Sequence, residues 1–106
     1  MRAVFRLIQV LVVAAFGLSA SLATAADANH GGDLAKRWCA SCHVVAPDQK
    51  QADADTSPFV VVAAKPDFSA EKVAFFLLDP HPKMPNFSLT RSEAADLAAY
   101  IGSLRK

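Results

Sequence analysis

The chain has 106 residues, enough for one small domain at most. Eleven Lys and Arg face ten Asp and Glu, a formal charge of +1, so there is no clustered basic excess of the kind that binds nucleic acid. Hydrophobic residues make up 53% of the chain, and much of that excess lies at its start rather than in an alternating or helical pattern.

In chain order, the first predicted element is a leader. Arg2 and Arg6 make a basic start. Residues 7–18 are then apolar apart from Gln9, and Ala23-Thr24-Ala25 has the small-x-small form that a signal peptidase cuts. This layout predicts a secretory signal over 1–25 and a mature domain over 26–106. The apolar run is shorter than a bilayer requires. An uncleaved anchor is the alternative, because residues 19–26 are only weakly polar. Cleavage removes Arg2 and Arg6 and no acidic residue, which takes the formal charge from +1 to −1. The remaining domain, of about 80 residues, buries little surface and needs a disulfide, a metal or a cofactor to support it.

Residues 31–43 are predicted to be helical. Gly31, Ala35 and Cys39 recur every fourth residue, a stripe of small side chains that lets a second helix approach closely; Leu34 and Trp38 form an apolar pair beside it. The end of this helix carries both cysteines of the chain, in Cys39-Ala40-Ser41-Cys42-His43. Four chemistries compete for them. A disulfide suits an oxidising compartment. A thioredoxin-like redox pair needs a strand–helix–strand context, which is missing. A zinc site needs a second ligand pair at finger spacing, also missing. The fourth is the C-x-x-C-H attachment motif for haem. The adjacent histidine and the export signal favour this last reading. Cysteines three apart share a face of a helical turn, so two thiols meet one porphyrin edge and His43 falls beneath the ring.

Residues 44–57 are polar and aperiodic and read as a loop. Ser57-Pro58 then opens an apolar run, with Ser57 expected as N-cap and Pro58 at the first helical position. The run Val60-Val61-Val62 suits a strand as well as a helix, and periodicity does not decide. Ser69 is expected to cap a helix to about Asp79 that places Val73, Phe76 and Leu77 on one face. After Pro80 comes His81-Pro82-Lys83-Met84-Pro85, where three prolines within six residues fix the backbone. Met84 is the only methionine besides the initiator. A stiff loop around a lone thioether suits an axial iron ligand; His81 and His30 are the alternatives. Thr90 and Glu93 form a capping-box pattern for the last helix. There Leu97, Tyr100, Ile101 and Leu104 make an apolar stripe, Arg91, Asp96 and Arg105 are expected in solvent, and Arg105 and Lys106 suit the helix dipole.

The haem motif, the Lys-Met-Pro loop some forty residues later and the Asp96-Leu97-Ala98-Ala99-Tyr100-Ile101 segment together resemble the small class I monohaem c-type cytochromes of bacteria. The resemblance covers nearly the whole of residues 26–106. It implies an all-α fold of a few helices wrapped around one covalently bound haem c. It implies Cys39 and Cys42 as attachment points and His43 and Met84 as the metal ligands. The first and last helices would cross at Gly31 and Ala35. A proline carbonyl would accept a hydrogen bond from the His43 ring, with Pro58 favoured over Pro47. The implied function is one-electron transfer in the periplasm rather than catalysis, by a monomer that meets redox partner proteins as donor and acceptor. Such a monomer touches a membrane only through those partners or an uncleaved signal. Two other functions stay open: a haem-bearing subunit of a larger oxidoreductase, and a haem enzyme or ligand sensor with a detachable methionine. Lys36, Lys50 and Lys83 are expected to form a basic ring for docking.

Overall fold

The computed structural model describes residues 1–6, 8–9, 24–50, 52–80 and 82–106. Most of the predicted leader and His81 therefore lie outside the described residues. Among the described residues the fold is all-α, without strands, and no helix is long and apolar enough to cross a membrane. Four helices form the domain: α1 (Ala28–Trp38), α2 (Phe59–Ala63), α3 (Ala70–Leu78) and α4 (Arg91–Ser103). The last helix is the hub; α1, α2 and α3 all pack against it, α1 most extensively.

Helix α1 starts three residues before the predicted start. Asp27 is its N-cap, and the carboxylate accepts from the backbone N–H groups of Asn29 and His30 at 3.0 and 3.1 Å. The helix stops at Trp38, and Cys39 to His43 form one further turn closed by the His43 N–H on the Cys39 carbonyl at 2.8 Å. The apolar run after Pro58 is helical, not extended. Its N-cap is Pro58 itself, without a side-chain cap, so neither Ser57 as N-cap nor Pro58 as first helical residue holds. For α3, Ser69 caps by accepting from Lys72 N–H at 3.3 Å. The capping box at α4 is complete, with Glu93 N–H on the Thr90 hydroxyl at 3.1 Å and Thr90 N–H on the Glu93 carboxylate at 2.8 Å. That helix ends before Arg105, so no basic residue lies in its last turn. Arg105 is instead placed over the Phe68 ring, 6.0 Å from its centroid.

The core is built on the crossing of α1 and α4. Leu34, Ala35 and Cys39 are buried from one side, and Ala94, Leu97, Ala98 and Ile101 from the other. Val45, Phe59, Ala63 and Leu77 complete it. Gly31 is the point of closest approach. A Cβ there would overlap the Asp96 carbonyl and lie 2.9 Å from the Leu97 nitrogen, so the stripe of small residues does set the crossing. Because the obstacle is backbone, it cannot rotate away. Gly31→Ala is expected to cost at least about 3 kcal/mol, the upper end of overpacking penalties, and to lower the thermal midpoint of the holoprotein by about 12 °C or more. A midpoint within a few degrees of wild type would show that the helices part at no cost.

Asp96 corrects the expectation of solvent exposure. It is buried, at 7% exposure, where α1 meets α4. One carboxylate oxygen accepts the Asp27 N–H at 2.7 Å; the other lies 2.8 Å from His30 Nδ1. An acidic residue at the crossing is tolerated because each oxygen has a donor. Hydrogen bonding to Asp96 holds the His30 imidazole above its ordinary 6.5, and the same bond, with that from Asp27 N–H, holds the Asp96 carboxyl below 3.8. The two effects have opposite signs in pH. The histidine contribution is complete below 6.5 and fades as pH rises through the raised value; the aspartate contribution is complete above 3.8 and fades as pH falls through the lowered one. The pair therefore stabilises most between those limits. In a thermal-melt series from about pH 6 to about pH 9, wild type is expected to lose more stability than His30→Gln. Parallel curves would remove the pair from the pH response.

Candidate haem site

A cavity of about 880 Å³ opens between the end of α1, helices α2 and α3, and the segment before α4. Its lining includes Cys39, Cys42, His43 and Met84, so residues far apart in sequence converge on one space. The walls are Trp38, Phe59, Val62, Phe68, Val73, Phe76, Leu77, Phe87 and Ile101 among others. The predicted face Val73, Phe76 and Leu77 is thus cavity wall. Volume and lining fit a flat, largely apolar macrocycle.

The two thiols differ. Cys39 is buried at the base of α1, and burial pushes its thiol up to about 11. Cys42, one turn on, is exposed. They are not bonded to each other. His43 packs against Phe59, with ring centroids 5.2 Å apart. Its Nδ1 lies 2.7 Å from the Ser57 carbonyl oxygen. A carbonyl only accepts, so Nδ1 carries the proton and donates, which leaves the lone pair on Nε2 for a metal.

The acceptor is therefore not a proline carbonyl. The Pro58 carbonyl is already taken by the N–H groups of Val61 and Val62 at 3.0 and 3.1 Å, because Pro58 caps α2. The residue before it is held in place by the same proline and has its carbonyl free for the imidazole. Pro47 plays no part in this contact.

Met84 is half-buried and packs against the core. The neighbouring loop is fixed from both sides. Phe87 stacks on Trp38 with centroids 5.9 Å apart and planes 6° from parallel. Ser88 takes a left-handed φ of 52°, with its N–H donating to the Asn86 side chain at 2.8 Å. His30, engaged with Asp96, does not line the cavity.

The lysines divide differently from expectation. Lys83 lines the cavity with Lys65 and Lys72, interspersed with Asp53, Asp55 and Asp67. Lys36 and Lys50 line a separate, shallower depression with Asp48 and Gln49. Proximity of Lys36 to Cys39 in sequence does not bring it to the cavity.

A cytochrome c-552 from Bradyrhizobium diazoefficiens is 67% identical to this chain over 96 residues, which span 91% of this chain and 92% of that protein. The chain belongs to the c-type cytochromes. The cofactor of this cytochrome is one covalently bound haem c. No family profile matches the chain, and no solved structure does. The cavity lining includes the four residues that the sequence nominates, Cys39, Cys42, His43 and Met84. Sequence reasoning missed Ser57, whose contribution is a backbone carbonyl and leaves no mark in the side-chain pattern. It also missed Gln49, an ordinary polar loop residue by composition.

Proposed function

We propose that this cytochrome is an exported one-electron carrier with a class I fold, its haem attached through Cys39 and Cys42 and its iron held by His43 and Met84. The observation that carries the reading is the convergence of those four residues on one apolar cavity, with His43 held as the Nδ1–H tautomer. Bound haem supplies an iron that cycles between ferrous and ferric states by one electron. The rest is the work of the chain. Ser57 orients His43 and raises its basicity through the Nδ1–H bond. Met84, as a thioether, favours the ferrous state relative to a second imidazole. With His43 and Met84 both holding the iron, small ligands would have no open site. The aromatic and aliphatic walls keep water out, which disfavours the extra positive charge of ferric iron.

Export is proposed on the same footing, with residues 1–25 removed and 26–106 delivered to the periplasm. Residues 24–27 are exposed and non-helical, so the peptide bond after Ala25 is open to a protease. The α1 cap, Asp27, lies beyond the cut, and the processed chain keeps every contact described above. Redox partners meet the cavity side, where Lys65, Lys72 and Lys83 alternate with acidic residues. Such encounters bury small interfaces and release quickly.

The test is the visible spectrum of the purified holoprotein in both oxidation states, with and without carbon monoxide. A low-spin spectrum with a methionine-to-iron band, reversible reduction and indifference to carbon monoxide is expected. Ready gas binding by wild type would replace the carrier with a ligand-binding function.

A further inference from the structure

The turn that carries His43 is followed by a loop whose backbone is satisfied largely by one side chain. Gln49 accepts the Val45 N–H on Oε1 at 2.9 Å. Its Nε2 donates to the carbonyls of Ala40 and His43 at 2.9 and 2.8 Å. One amide therefore ties the attachment motif at Ala40, the ligand at its own carbonyl, and the loop two residues on. From the opposite side the Tyr100 hydroxyl of α4 donates to the Val45 carbonyl at 2.6 Å, and Val45 is buried. Two further backbone bonds close the ring: Asp53 N–H on the Cys42 carbonyl at 3.1 Å and Phe59 N–H on the Val44 carbonyl at 2.9 Å.

We infer that Gln49 is a positioning residue for the iron ligand, acting through the main chain of His43 as Ser57 acts through its ring. The inference rests on His43 being that ligand. The imidazole is set by two anchors. Ser57 fixes its rotation about the side-chain axis, and Gln49 fixes the peptide from which the side chain springs. An amide suits the position because it presents one acceptor and two donors to one N–H and two carbonyls. Leucine removes all three bonds at similar volume. Glutamate keeps the acceptor and sets carboxylate oxygens against two carbonyls, which is worse than nothing in a half-buried site.

The experiment uses holoprotein of wild type, Gln49→Leu and Gln49→Glu. Loss of outer-shell partners of a metal-bound histidine costs about 10–100-fold in metal affinity or activity. Gln49→Leu is accordingly expected to retain covalent haem, to shift the hyperfine-displaced haem methyl resonances of the ferric protein and to raise its high-spin fraction about tenfold or more. Gln49→Glu is expected to exceed Gln49→Leu in both at neutral pH. A simple space-filling or loop-stapling role predicts lowered thermal midpoints with wild-type resonances and high-spin fraction in both variants; that result would overturn the proposal. If neither variant matures, amide exchange in wild type decides: the Val45 N–H is expected to be as protected as amides inside α1, and fast exchange overturns the clamp. Failure of the ligand assignment itself is separable, because His43→Ala would then leave the low-spin spectrum intact.

Discussion

Cys39→Ser and Cys42→Ser are each expected to lower the yield of stable holoprotein on the order of tenfold or more, since cofactor attachment and folding are coupled in a domain this small. The cavity explains why. In a domain of about 80 residues it is lined from α1, α2, α3, α4 and the Met84 loop, so much of the apolar surface is arranged around it. A macrocycle attached there adds contacts to Trp38, Phe68, Val73 and Leu77 beyond those they make with the core. The two substitutions are not equivalent. Cys39 is itself core, in contact with the α1/α4 cluster, and a serine hydroxyl there is desolvated as well as unattached. Cys42 is exposed, and its replacement removes only the bond. Cys39→Ser is therefore the more damaging of the pair. Haem-stained denaturing gels and far-UV circular dichroism of the exported fraction measure both points. Normal helix content in both variants, beside a wild type without covalent haem, would refute the attachment assignment.

Met84→Ala has the other large expected effect, on chemistry rather than folding. The thioether is half-buried in a loop held by Pro82 and Pro85 and by the Trp38–Phe87 stack, so its removal leaves the loop framed and, on the proposed ligation, would take one ligand from the iron. The expected product keeps covalent haem, turns high-spin and binds carbon monoxide. Met84→His is expected to remain low-spin at a lower potential, because imidazole stabilises ferric iron better than a thioether does. A wild-type spectrum in Met84→Ala would point to another ligand, with His81 the first suspect.

The parts of this molecule that were legible in the sequence are those written in side chains at fixed spacing. Cys39, Cys42 and His43 are adjacent, the thioether stands alone among prolines, and the small stripe Gly31–Ala35–Cys39 announces a close helix crossing. The Thr90–Glu93 box and the Ser69 cap are equally local and were read correctly. What escaped depends on pairing across the chain. Asp96 looks like a surface residue on its own helix and becomes a buried acceptor only when α1 brings Asp27 and His30 to it. Ser57 acts through its backbone carbonyl, while the Pro58 carbonyl is committed to α2. Lys36 sits three residues before Cys39 and yet lines another depression. In each case the deciding partner comes from a different element, and no local pattern encodes it.

The crossing at Gly31 has a consequence for assembly. The Asp27–Asp96 bond joins residues 69 positions apart, so the helices that form the heart of the core come from the two ends of the domain. Closing a flexible loop of that length carries an entropic cost of about 4 kcal/mol beyond the constant term. That cost falls before the reward, because α1 buries Leu34 and Ala35 only when Leu97 and Ile101 arrive. Contacts of such long sequence separation slow folding, and this domain depends on them for the burial of its first helix. A chain that has not yet delivered Arg91–Ser103 has no other helix to cover α1, and Cys39 and Cys42 stay outside any finished core. The topology therefore postpones closure of the domain to the arrival of its last helix, leaving a window in which the C-x-x-C-H segment is still reachable.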